Sequence, residues 1–248
     1  MGYPARQSKD DYMSELTKQT VAIVGASSGI GLATAKAVAA KGANVILLSR
    51  SQAKLEEAAK TIRGEVRAVA MNMLDPAAVD RAIGSIGTID HLVLTAVADE
   101  LARTGRITEL TTEQVERSFD KLRGFVNVAR AAVPHLRERG SITLLSGASA
   151  TKPAPGMSLL SAEAASVASF GKALALELAP VRVNVVMPGV VDTPIHAAAR
   201  DKIRAFAESL PARHFGQPED IAQGIVFLLT NPYVTGHTLV IDGGLIAT

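Results

Sequence analysis

The stretch Gly25-Ala26-Ser27-Ser28-Gly29-Ile30-Gly31 places three glycines around two small hydroxyl residues. Glycine at such positions permits a tight turn and lets backbone N–H groups approach a pyrophosphate at the positive end of a following helix. A glycine trio alone carries little weight. Here the apolar run 20–24 (TVAIV) precedes it and an Ala-rich helical stretch, 31–41, follows. A second apolar run, 44–48 (NVILL), leads into Ser49-Arg50-Ser51. Units that bind NAD place Asp or Glu at that strand end, to accept from the ribose 2′-hydroxyl. Arg50 between two serines suits a 2′-phosphate through charge-assisted hydrogen bonds, so NADP(H) is expected over NAD(H). The plainer alternative is a solvated arginine at a strand end.

These groups need a scaffold that carries strand ends and helix starts to one edge. Apolar, β-branched runs at 20–24, 44–48, 66–71, 91–95, 141–145, 181–186 and 238–241 read as strands. They are apolar on both faces, as buried parallel strands are. Helical stretches at 31–41, 52–62, 76–86, 112–137, 158–178 and 219–229 alternate with them. The alternation predicts one α/β domain over residues 17–248, a doubly wound parallel sheet with helices on both faces. Residues 190–216 interrupt the pattern and are too long for an ordinary connection, so a lid or pocket segment is expected there. Residues 1–16 are polar and unpatterned, without the apolar core of a signal peptide, and read as a flexible tail.

Composition narrows the partners. The chain has 248 residues and is 48% hydrophobic, enough for one sizeable core. A formal net charge of +2, no dense basic stretch and 4% aromatic residues argue against nucleic acid. No apolar run approaches the roughly 20 residues of a membrane-crossing helix, so no membrane partner is expected. Cysteine is absent, which excludes disulfides and fits a reducing, cytoplasmic setting. The five histidines are scattered, with no pair at helical ligand spacing, and no metal is expected.

Gly25-x3-Gly29-x-Gly31, SITLLSGAS, LALELAPVRVNVVMPGVVDTP and TGHTLVIDGG occur in that order. Together they resemble the short-chain dehydrogenase/reductase family over almost the whole chain from residue 17. The resemblance implies a Rossmann-type fold with a seven-stranded parallel sheet, a nicotinamide cofactor, a small-molecule substrate, and a homo-oligomer, tetramer or dimer. It places cofactor contacts at Gly25, Ser27, Ser28, Gly29, Ile30, Gly31, Ser49, Arg50 and Ser51. Further along, it places them at Asn72, Met73, Thr95, Ala96, Pro188, Gly189, Val191 and Thr193. Asn72 stands where the family usually has an Asp, and Thr95-Ala96-Val97-Ala98 where it has Asn-Asn-Ala-Gly.

The same register departs from the family where its proton chemistry lies. The catalytic Tyr falls at Leu160, the Lys at Ala164, and the active-site Ser at Gly147, with Ser146 and Ser149 beside it. No local shift restores the pair. The tyrosines are Tyr3, Tyr12 and Tyr233, and four residues after each stand Gln7, Leu16 and His237. Where the family carries a structural Asn, this chain has Lys121, whose long ammonium side chain could reach the space left by Ala164. The bland alternative is a lysine in a salt bridge with Asp120 or Glu116, or one that is simply exposed. Ser146 and Ser149 are candidate donors to a substrate oxygen, or simply turn residues. Lys152 lies on the following loop. His196, Arg200, Lys202, Arg204, Arg213 and His214 give the lid a basic balance that could favour an anionic substrate. Two functions stay open: an NADP(H)-dependent oxidoreductase with an atypical proton relay, or an inactive dinucleotide-binding protein acting as a redox sensor or partner subunit.

Overall fold

Alternate residues of each strand face opposite sides of a central sheet, and the inner strands are buried on both faces. The computed structural model describes residues 16–97, 104–195 and 200–248. The expected tail up to residue 15, Ala98 and His196 lie outside them. Seven strands, β1 (Thr20–Val24), β2 (Asn44–Ser49), β3 (Val66–Ala70), β4 (Ile89–Leu94), β5 (Leu136–Leu145), β6 (Arg182–Pro188) and β7 (Thr238–Ile241), form one sheet. Their order is β3-β2-β1-β4-β5-β6-β7 and every pairing is parallel. This is the Rossmann-type doubly wound architecture expected from the alternation.

Helices α1 (Gly29–Ala39), α2 (Gln52–Lys60) and α8 (Pro218–Thr230) cover one face, where Val21, Ile23, Val45 and Leu47 are buried with Val38, Leu55 and Ile225. On the other face lie α3 (Pro76–Gly84), α5 (Asp120–Ala132) and α6 (Ser158–Glu177). There Ala22, Val24, Ile46 and Leu48 meet Ile83, Phe125 and Val167. The strand order reverses between β1 and β4. Chain leaving the two in opposite directions opens a crevice beyond their carboxyl ends, the usual place for a ligand in such sheets.

Three expectations need correction. The helix expected over 112–137 is two helices, α4 (Thr112–Glu116) and α5, separated at residues 117–119. The Ser118 hydroxyl donates to the Gln114 carbonyl at 2.6 Å, and Asp120 accepts from Arg123 and Arg117. The Ser118 bond back to a carbonyl four residues earlier competes with the helical ladder at the break. Pro134 has no N–H to continue α5, so a short 3₁₀ turn (Val133–His135) leads into β5, which starts five residues before the expected strand.

The expected lid segment contains α7 (Arg200–Ser209). Its two ends are pinned together by the Val191–Gly216 bridge and by Asp192 N–H donating to Gly216 O at 2.8 Å. Finally, α6 does reach 20 residues with mean hydropathy 1.3, long and apolar enough to cross a membrane by those measures. In the fold it packs on β5 and β6 through Val167, Gly171, Leu174 and Ala175. A methyl on Gly171 would press on Leu144 at 3.0 Å, so the helix lies close to the sheet.

Candidate active site

A cleft of about 650 Å³ runs along the carboxyl ends of β1 to β6. At its centre is the glycine loop. Gly25 has φ +91°, and a Cβ there would stand 2.6 Å from the Ala96 nitrogen. A Cβ on Gly31 would meet the Gly25 carbonyl and lie 2.7 Å from Thr95 Oγ1. Only glycine therefore lets α1 begin this close to β1 and β4. Ser28 is the N-cap of α1, yet its side chain accepts no helix N–H, and the first turn holds no acidic residue. Such a helix start, with N–H groups not taken by side chains, fits the phosphates of a dinucleotide.

Every cofactor residue expected from the sequence lines this cleft except Ser51. Ser51 instead caps α2, its hydroxyl accepting the Lys54 N–H at 3.4 Å. Ser49 donates to Ser27 across the loop at 3.3 Å, and Thr95 Oγ1 donates to Val24 O at 2.8 Å. The Asn72 amide oxygen accepts the Leu74 N–H at 3.1 Å. Arg50 and Lys54 both line the outer end of the groove. Lys54 was missed in the sequence, although it sits in the helix that Ser51 caps. At the opposite end stand Pro188, Gly189 and Thr193. A Cβ on Gly189 would lie 2.7 Å from Asp242 Cα, and one on Gly29 would lie 3.3 Å from Thr193 Cγ2. Asp242 itself caps the last turn, accepting from Gly244 and Ile246.

The inner end is walled by Met157, Leu160, Ala164, Ile195 and Phe206. Leu160 and Ala164 leave the α6 wall without a phenol or an ammonium group. Tyr233 is exposed outside the cleft, and Tyr3 and Tyr12 lie outside the described residues. Lys121 is 4% exposed on α5 and lines the cleft, so it is not an exposed lysine. Its Nζ lies 5.9 Å from the centroid of the buried Phe125 ring, at cation–π range. Beside it is Glu163, 2% exposed and also lining the cleft, whose Oε1 accepts the Lys121 backbone N–H at 3.1 Å. Glu163 too was missed. A lone acid in the small, apolar run SLLSAEAASVASF was the available signal.

The two serines differ. Ser146 Oγ donates to the Ala164 carbonyl at 2.6 Å, so its proton is committed to tying β5 to α6. Ser149, in the 3₁₀ turn Ala148–Ala150, is half-buried and lines the cleft. Lys152 is exposed at the rim. The lid contributes apolar Ile195 and Phe206 to the cleft, whereas Arg204, Arg213 and His214 are exposed elsewhere. His196 and the side chains of Arg200 and Lys202, the rest of the expected basic set, lie outside the described residues. Among the described residues, no group of three or more His, Asp or Glu side chains could hold a metal ion.

Residues 25–246 match a family model described as enoyl-(acyl carrier protein) reductase. The chain is 33% identical over 242 residues to dehydrogenase/reductase SDR family member 4 of Homo sapiens, covering 90% of this chain and 86% of that one. It belongs to the short-chain dehydrogenase/reductase family. A 3-oxoacyl-(acyl-carrier-protein) reductase of Thermotoga maritima is 35% identical over 239 residues, covering 90% of this chain and 96% of its own. A solved small-chain dehydrogenase in complex with NADPH superposes with a TM-score of 0.80 at 28% identity, over 93% of this chain and 100% of that one. Short-chain dehydrogenases/reductases are oxidoreductases, and the glycine cradle above is the part of this member suited to their nicotinamide dinucleotide. The buried Lys121 and Glu163 are the ionisable groups at the opposite, inner end of its cleft.

Proposed function

We propose that the protein is an NADP(H)-dependent oxidoreductase acting on a small carbonyl/alcohol pair or an activated double bond, with Lys121 handling the proton. The observation that carries this reading is an ammonium-bearing side chain buried on the cleft floor, next to the apolar Leu160 and Ala164. The nicotinamide dinucleotide, when bound, supplies or accepts the hydride. The first turn of α1 receives its phosphates, Arg50 and Lys54 receive the 2′-phosphate, and Pro188, Gly189 and Thr193 hold its far end.

Met157, Leu160, Ile195 and Phe206 exclude water and select a substrate with an apolar body. In the reductive direction the Lys121 ammonium donates a proton to the substrate oxygen or carbon; in the oxidative direction its amine accepts one. Positioned acid–base help of this kind contributes about 10²–10⁴-fold. The absence of a phenol from the α6 wall supports a second reading, a non-catalytic dinucleotide-binding protein that senses redox state or partners an active relative.

NADPH and NADH titrations by fluorescence, followed by a carbonyl and enone panel read at the NADPH absorbance, separate the two readings. The enzyme reading expects tighter NADPH binding and measurable turnover. Tight binding with no turnover across the panel supports the second reading, and failure to bind either nucleotide removes both.

A further inference from the structure

The break between α4 and α5 has a partner on the opposite wall of the cleft. A helix that begins anew exposes N–H groups in its first turn that need acceptors. One of them, the Lys121 N–H, finds the Glu163 carboxylate on α6, 42 residues along the chain. Glu163 is also the only charged residue between Ser158 and Gly171. A carboxylate this deeply buried costs several kcal/mol unless charge and hydrogen bonds compensate it. The carboxylate is fixed 3.1 Å from the Lys121 nitrogen, within the length of that residue's own side chain, and both line the same cleft.

We propose that Glu163 is the positioning residue for Lys121: its carboxylate fixes the first turn of α5 and supplies the counter-charge for the ammonium on the cleft floor. This rests on the proton role given to Lys121 above. It explains why an acid stands in the middle of an Ala- and Ser-rich helix. Glu163 need not touch substrate; it acts through Lys121.

Glu163→Gln keeps an oxygen to accept the Lys121 N–H and removes only the charge, so it separates a helix cap from a charge partner. Folding is checked by circular dichroism and NADPH affinity by fluorescence. Two further readouts decide: the pH profile of turnover, and the pH titration of the Lys121 ¹³Cε resonance, assigned by its loss in Lys121→Met. The expected result is unchanged folding, NADPH affinity and KM, and kcat lower by about tenfold. The profile and the Cε midpoint should both move to the acid side.

Glu163→Asp, which keeps the charge on a shorter arm, should leave the Cε midpoint nearer the parent than Gln does, and it replaces Gln if that variant does not fold. A Glu163→Gln protein with the parental profile and the parental Cε midpoint would overturn the inference and leave a structural cap. If Lys121→Met instead retains full turnover, the proton role fails, while the Cε midpoint still shows whether Glu163 governs Lys121.

Discussion

Arg50 and Lys54 place two cations at the outer end of the groove, and among the described residues no acidic side chain lines that end. Hydrogen bonds to charged groups contribute about 1.5–3 kcal/mol each. Replacing both with Ser should therefore weaken NADPH by about a hundredfold or more and leave NADH within about twofold, as read by fluorescence titration. Far from the cleft, His91 in β4 is 5% exposed, with Nδ1 2.8 Å from Ser141 Oγ and Nε2 2.7 Å from Gln19 Oε1. Burial, and secondarily the Arg182 guanidinium, push its pKa from 6.5 down to about 4, with Asp90 opposing them. Between those values the unfolded chain binds the proton and the folded one does not, so stability falls as pH drops from 6.5 to 4 and is flat above. The loss is about 3 kcal/mol, and denaturant melts of the parent and of His91→Gln across that window should show it in the parent alone. Arg50 was legible in the sequence because its meaning is local, a strand end beside a glycine loop. Glu163 was not, because what it does depends on a contact 42 residues away.

At the scale of elements, most strands and helices followed from hydrophobic period and turn residues, since those signals lie within a few positions of what they specify. The 112–137 helix failed because helical spacing continues across Ser118, whose side-chain bond competes with the ladder, and because the stop at Pro134 was overrun. That failure mattered for the site. Lys121 was expected near the middle of one long helix, whereas it stands in the first turn of a new one, where a carboxylate from α6 can reach its N–H. The β5–α6 junction is held by Ser146 in the same way. Ser146→Ala would remove this bond while the Ala164 carbonyl keeps its place in the α6 ladder, and should cost about 0.5–1.5 kcal/mol in chemical denaturation. If Ser146 acted instead as a substrate donor, turnover would collapse with stability unchanged.

For the molecule as a whole, the alternation of runs was sufficient to specify a doubly wound sheet, because parallel neighbours demand crossover helices. The surface was less legible. Phe119, Val126 and Val133 recur every seven residues as an exposed apolar stripe along α5, continued by Val115. We expect this stripe to be covered by a second copy. Light scattering at micromolar concentration should give a dimeric or tetrameric mass for the parent and a smaller one for Val126→Glu, and a monomeric parent would refute the assembly. The proposed proton role of Lys121 is tested most directly by Lys121→Met, assayed for turnover and for NADPH affinity on one folded sample. The predicted result is a loss of turnover of at least about 10²-fold with NADPH bound as tightly as in the parent. A fully active, normally binding variant would contradict it.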